Sequence, residues 1–304
     1  MNNSAPIVLF VYKRLELTRR VLESIQQNPE ACRSSLIVYS DAARSEKDGE
    51  KVQQVRDLIN KIEGFKDVRI ILREKNLGLA ESFIQGISEI LNIYEEAIFL
   101  EDDNLCSIHF LSFMNEALVK YKHNKKVSCV TGYSFPLIPP VVRPYFLRGA
   151  DTWSIGIWRH SWAVFERDGR RILRQFEEKN LIRKFQLDGF GFLGMLNDQI
   201  QGKNDSWGVR WWASAFINDM YCLYPDQPFV VNIGYGEDST HCSSYNPLFR
   251  NPDDLASSPI GELPEDVQVD KLVFKRIQKM NGVGKFERIK RLRNKIASKI
   301  KRLF

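Results

Sequence analysis

Five short strand-like runs, at residues 7–11, 36–39, 68–72, 97–100 and 127–131, alternate with stretches whose apolar side chains recur every three or four positions. Leu17, Val21, Leu22 and Ile25 share one helical face after the first run. Val52, Val55, Ile59 and Ile62 do so after the second, and Leu79, Phe83, Ile84, Ile87 and Leu91 after the third. Phe110, Phe113, Met114, Ala117 and Tyr121 form the stripe after the fourth. A continuous apolar run such as 7–11 suits a strand buried on both faces. Strands alternating with helices predict an α/β fold, a mostly parallel sheet with right-handed crossovers and helices on its flanks.

The fourth run ends in Glu101-Asp102-Asp103-Asn104. Three acids at the end of a buried strand are costly unless a cation meets them. The C-terminal edge of a parallel sheet is also where open α/β folds hold ligands. A hard cation, Mg²⁺ or Mn²⁺, bound together with a nucleotide diphosphate would account for both facts. A solvated acidic turn is the alternative reading.

Bulk composition narrows the partners. With 304 residues, 43% of them hydrophobic, the chain has material for one large α/β domain with appendages or two small ones. No apolar run approaches the roughly 18–20 residues that span a bilayer. The run at 7–12 is too short for a secretory signal, so a cytoplasmic location is expected. Five cysteines at irregular spacing, with no C-x-x-C, fit reduced thiols. The net charge of +6 is uneven: residues 285–304 hold nine Lys or Arg and one acid, so the remainder is slightly acidic. That argues against a nucleic-acid partner. In the same tail Phe286, Ile289, Leu292, Ile296, Ile300 and Leu303 fall on one helical face. A cationic amphipathic helix at an anionic membrane surface is expected, with a partner-binding helix or an RNA-binding arm as alternatives.

The ordered series of a strand, Arg73, Asn76-Leu77-Gly78-Leu79-Ala80, a helix and Ile98-Phe99-Leu100-Glu101-Asp102-Asp103 resembles GT-A-fold (Rossmann-like) glycosyltransferases. It is most similar to N-acetylglucosaminyltransferase I-like enzymes and bacterial family 2-like polysaccharide transferases, with E-D-D in place of D-x-D. The resemblance covers residues 6–135 and continues more weakly to about 242. It implies that Val11, Tyr12 and Arg14 contact the nucleotide of a UDP-sugar, and that Asp41 accepts from the uracil N–H. It places Arg73, Asn76 and Gly78 in the turn beneath the sugar nucleotide. Asp103 would ligate the metal directly, while Glu101 and Asp102 shape the site or hold hydroxyls. Read locally, Arg14 is equally a surface residue starting a helix, Asp41 a helix N-cap, and Gly78 a permissive backbone position.

Beyond residue 135 the signal weakens. Pro136, Pro139, Pro140 and Pro144, then Trp153, Trp158 and Trp162, suggest loops and short helices packed over the sheet's ligand edge. A helix at 209–217, a strand at 229–233 and a linker at 253–266 are expected. Asp205, in Asn204-Asp205-Ser206-Trp207, resembles the general base of inverting transferases; Asp188 and Asp198 are weaker candidates, and a helix N-cap is the structural alternative. Gly234, Gly236 and His241 resemble a loop closing over the diphosphate, with His241 on metal or phosphate. Trp158 and Trp207 would stack on acceptor sugars or else fill a core. The organisation expected is a catalytic domain at 1–252 (nucleotide-sugar half 1–135, acceptor half 136–252), a linker and helical extension at 253–284, and the membrane-interface helix at 285–304. The implied activity is metal-dependent transfer of a sugar, with inversion, to a glycan or polyprenyl-diphosphate-linked acceptor of surface polysaccharide such as O-antigen or capsule. A retaining transferase shares every motif up to residue 104, and a membrane-associated scaffold is the non-enzymatic alternative. A nucleotidyltransferase fits poorly, because residues 7–14 contain no glycine.

Overall fold

The computed structural model describes residues 4–186, 190–234 and 250–282. The chain opens with strand β1 (Ile7–Val11), helix α1 (Leu15–Gln26), β2 (Ser35–Ser40), α2 (Glu46–Ile59), β3 (Asp67–Leu72), α3 (Gly78–Ile93) and β4 (Glu96–Glu101). It continues through β5 (Asn104–Cys106), α4 (Phe110–Tyr121), β6 (Val127–Thr131), β7 (Tyr145–Arg148), β8 (Ile155–Trp158) and α5 (Arg159–Trp162). Helices α6 (Gly169–Glu178), α7 (Ile182–Gln186), α8 (Phe192–Ile200) and α9 (Trp207–Ile217) follow, then β9 (Tyr221–Tyr224), β10 (Val230–Asn232) and α10 (Lys271–Met280).

The strands of the main sheet lie in the order β3-β2-β1-β4-β8-β6-β9-β7. The first four are mutually parallel, and only β8 and β7 run against the rest. The expected α/β, mostly parallel, Rossmann-like sheet is therefore present, with one correction. The middle of the chain does not simply cover the edge; it supplies β8, which separates β4 from β6. Ile155-Gly156-Ile157-Trp158 is buried along its whole length, which suits a central position. Gly156 permits that position, since a Cβ there would lie 3.2 Å from Leu118 of α4.

Strand alternation divides the core into two faces. Ile7, Leu9 and Val11 pack with α1, α2 and α4, whereas Val8 and Phe10 pack with α3, α9 and α10. Helices α6, α7 and α8 form a smaller apolar cluster against the far side of α9. The segment at 253–266 is no free linker. Ser107 Oγ donates to Ala256 O (2.6 Å), Lys120 Nζ to Leu263 O (2.9 Å) and Tyr121 Oη to Pro264 O (2.6 Å), which straps the segment to the α4 region. Cys32, Cys106, Cys129 and Cys222 are free thiols. No helix among the described residues is long and apolar enough to cross a membrane.

Candidate functional site

β1 has β2 on one side and β4 on the other, so the strand order reverses there and opens a crevice at the C-terminal edge. Arg14 enters that crevice from the turn after β1, and Asp102 and Asp103 enter it from the turn after β4. Arg14 Nη1 lies 2.8 Å from Asp103 Oδ2, and Nη2 is in direct contact with Asp102 Oδ1. All three are largely shielded: the Arg14 side chain is 21% exposed, and Asp102 and Asp103 are buried. The internal cation required by the acidic cluster is thus an arginine.

A third strand completes the cluster. β10 pairs antiparallel with β5, setting Asn232 opposite Asn104. Asn232 Nδ2 donates to Asp103 Oδ1 (2.9 Å) and to Asn104 Oδ1 (3.1 Å), while Ile233 N donates to Asp103 O (2.8 Å). Gly234 passes so close that a Cβ there would collide with the Asp103 carboxylate. In the sequence Asn232 only opens the Gly-rich stretch that runs to His241, with no role of its own. Its position at the end of a strand-like run does not reveal a pairing with residue 104.

Electrostatics at this edge remain unbalanced. Burial, followed by the neighbouring charges of Asp103 and Asp102, pushes the Glu101 carboxyl up to about 8 against the opposing pull of Arg14. Burial also raises Asp103, while Arg14 and the Asn232 hydrogen bond act to lower it. Asp102 Oδ2 is buried and has no hydrogen-bond partner among the described residues. One guanidinium facing two carboxylates leaves a negative charge to offset. Among the described residues no group of three or more His, Cys, Asp or Glu side chains could hold a metal alone. The oxygen-only donor set and the orphaned carboxylate oxygen nevertheless fit a hard divalent ion that takes its other ligands from phosphate and water.

The expected nucleotide side converges on the same edge. Asp41 N donates to Val11 O (3.1 Å), fixing the ends of β1 and β2 together. The Asp41 carboxylate accepts from Leu77 N (2.9 Å), Gly78 N (3.0 Å) and Asn76 Nδ2 (3.1 Å), so it pins the start of α3. Asn76 Nδ2 also donates to Ala42 O (2.7 Å). Gly78 enters α3 at φ +74°, a conformation that favours glycine. Tyr12 Oη and Lys13 Nζ both donate to Asp48, at 3.0 and 2.7 Å. Arg73 turns to Glu89 (3.1 Å) and lies over the Tyr39 ring, while Arg56, a residue without a sequence signal, donates to Arg73 O (3.0 Å).

The second half is split. Asp205 stands at the entry of α9 with its side chain 74% exposed, 3.1 Å from the buried guanidinium of Arg210. Ser206, rather than Asp205, caps α9 by accepting from Val209 N (3.2 Å). Arg210 also donates to Arg167 O (3.2 Å), and Arg167 contacts Glu81 in the first turn of α3. Asp205 is therefore tied to the end of α3 that Asp41 pins. Asp198 is on α8, 3.4 Å from Lys203. Trp158 lies in the core. It pairs with Glu96 at the entry of β4, about 17 Å from Glu101 at 3.3 Å per residue, and its Nε1 donates to Leu118 O (3.1 Å) in the core. Trp207 is likewise buried, stacked at 4.9 Å on Phe83. Neither indole presents a sugar platform at the carboxylate edge. Asp188, Gly236, His241 and the tail at 285–304 lie outside the described residues.

No protein-family model matches the chain, and no curated protein matches it in sequence. Among solved structures it is similar to the mannosyltransferase PcManGT from Pyrobaculum calidifontis in complex with GDP-Man and Mn²⁺, at 12% identity and a TM-score of 0.35, over 54% of this chain and 46% of that one. A putative nucleotide-diphospho-sugar transferase from Desulfovibrio desulfuricans G20 is similar at 14% identity and a TM-score of 0.34, over 53% of this chain and 65% of that one. S. aureus TarS is similar at 13% identity and a TM-score of 0.30, over 42% and 21%. In each case the match spans less than two thirds of the neighbour's own length.

Proposed function

We propose that the chain is a GT-A-fold glycosyltransferase that moves a hexosyl group from a nucleotide-diphosphate donor, UDP-linked, to a hydroxyl of a glycan or polyprenyl-diphosphate-linked acceptor in surface polysaccharide synthesis. The observation that carries this reading is the Arg14–Asp102–Asp103–Asn232 cluster, with both carboxylates buried, at the β1/β4 switch point. Arg14 binds and orients the carboxylates and offers its remaining N–H groups to a phosphate oxygen. Asp41 and Asn76 hold the turn beneath the nucleotide, the Asp41 carboxylate being filled by Ala42 N, Leu77 N, Gly78 N and Asn76 Nδ2. A divalent ion, Mn²⁺ or Mg²⁺, held at Asp103 with Asp102 beside it, would offset the charge of the departing diphosphate when bound. Asp205, oriented by Arg210 and open to solvent, accepts the proton of the acceptor hydroxyl. That oxygen attacks the anomeric carbon as the bond to the diphosphate breaks, which inverts the configuration. Residues 285–304 would hold the protein on the anionic cytoplasmic face of the membrane, where such acceptors are presented.

Calorimetric titration with UDP tests the donor half. Binding is expected with Mn²⁺ or Mg²⁺ present, and no heat under either condition would end this reading. Asp205→Asn should abolish transfer while leaving UDP affinity nearly intact; retained turnover removes Asp205 as the base. Deleting residues 285–304 should reduce binding to anionic vesicles and spare donor hydrolysis.

A further inference from the structure

Among the described residues, the three most exposed large apolar side chains lie near one another. Ile138 is 95% exposed and Val142 86%, in the loop from β6 to β7, and Leu272 on α10 is 70% exposed. Single exposed apolar residues are ordinary, but these three belong to elements that touch. Arg143 pairs with Asp270 at the N-cap of α10 (3.4 Å), and Arg276 of α10 donates to Pro139 O. Within the loop the spacing is alternate: Leu137 and Val141 pack into the core, which turns Ile138 and Val142 outward. Pro136, Pro139, Pro140 and Pro144 stiffen this display, so little chain entropy is lost when a partner covers it.

The surroundings of the patch are cationic. The exposed positions of α10 are Lys271, Leu272, Lys275 and Lys279, and the helix contains no Asp or Glu. The three lysines make no ion pair among the described residues. From there the chain continues into residues 285–304, with their nine basic residues and one acid. β6 and β9 run in the same direction as β4, and the loop leaves the end of β6 to return at Tyr145, opposite Tyr224 at the end of β9. The patch therefore lies at the same edge of the sheet as Asp102 and Asp103.

We propose that the tip of the 136–144 loop and the exposed face of α10 form a membrane-contacting wedge. Ile138, Val142 and Leu272 enter the acyl boundary of an anionic bilayer, while Lys271, Lys275 and Lys279 meet lipid phosphates. The wedge is a contact additional to residues 285–304, and it turns the carboxylate edge towards the lipid surface. It does not depend on sugar transfer.

Co-sedimentation of the full chain with vesicles of phosphatidylcholine, with and without phosphatidylglycerol, tests this. The triple variant Ile138→Asp, Val142→Asp, Leu272→Asp should lower partitioning onto phosphatidylglycerol vesicles by about tenfold or more, since three inserted side chains become charged. Lys271→Glu with Lys275→Glu should weaken binding only where phosphatidylglycerol is present. An Ile138→Trp variant should show blue-shifted emission on adding those vesicles. Thermal melting and UDP titration of the same variants separate a lost wedge from a lost fold or a lost donor site. The proposal is overturned if the triple variant partitions like the unmodified chain, if emission at 138 stays unshifted, or if the patch instead supports a dimer that the triple variant abolishes.

Discussion

Both ends of β4 carry carboxylates facing bases, yet the two clusters differ in kind. At the entry end Glu96 lies 3.4 Å from Lys122, and Glu95 lies 2.6 Å from Arg159; both basic side chains and that of Glu95 are exposed, while Glu96 is half-buried. These residues, with His123, Lys125, His160 and Trp158, line an open cavity of about 200 Å³. Pairs open to solvent on at least one side contribute about 0–1 kcal/mol each. At the exit end Asp102 and Asp103 are buried, and their partners Arg14 and Asn232 come from sequence positions far apart. Charge at a strand end is thus a poor marker of a site. Convergence of several elements on buried, incompletely offset charge is a better one.

Arg14→Met breaks the exit cluster most severely. Two buried carboxylates lose their cation, and about 3–5 kcal/mol of stability should disappear in denaturant unfolding at neutral pH. The sign with pH is fixed: unpaired carboxylates hold protons in the folded chain that the unfolded chain releases, so the variant should regain stability as pH falls. Lys122→Met at the other end should cost no more than about 1 kcal/mol. Equal losses would erase the distinction between the two ends.

Asp103→Asn should reduce transfer by about 10²–10³-fold, equivalent to about 3–4 kcal/mol, with weakened metal-dependent UDP binding in calorimetry. Glu96→Gln should leave turnover within about twofold, because it sits at the far end of β4 from the exit cluster. A smaller effect is expected of Trp158→Phe, which removes the hydrogen bond to Leu118 O and some packing. Melting should report a loss of about 1–2 kcal/mol with turnover unchanged; a selective rise in acceptor KM would restore Trp158 to the site. The smallest effect belongs to His160, whose pKa is lowered by burial and then by Lys125. Its folded pKa lies below its unfolded value of 6.5, so its contribution to stability is present above that value and is lost as pH falls through the folded pKa. His160→Gln should flatten stability-versus-pH curves on the acid side without altering donor binding.

Local pattern alone determined the α/β class, the parallel strands β1 to β4 and the acidic triplet at a strand's C-terminal end. Burial on both faces leaves a continuous apolar run, a helical face repeats every three to four residues, and charge beside such a run is conspicuous. These signals are confined to short windows, so one chain suffices to read them. Tertiary structure decided which cation meets the acids, because Arg14 and Asp103 are 89 positions apart and only the β1/β4 pairing joins them. It likewise decided that β8 enters the sheet between β4 and β6, and that Asn232 returns through β10 to hold Asp103. It also assigned Trp158 to the core at the far end, since tryptophan suits a packed interior as well as a sugar face and only its register opposite Glu96 distinguishes the two. Long-range pairing leaves almost no mark on local composition, because the free energy that selects it is spread over both partners.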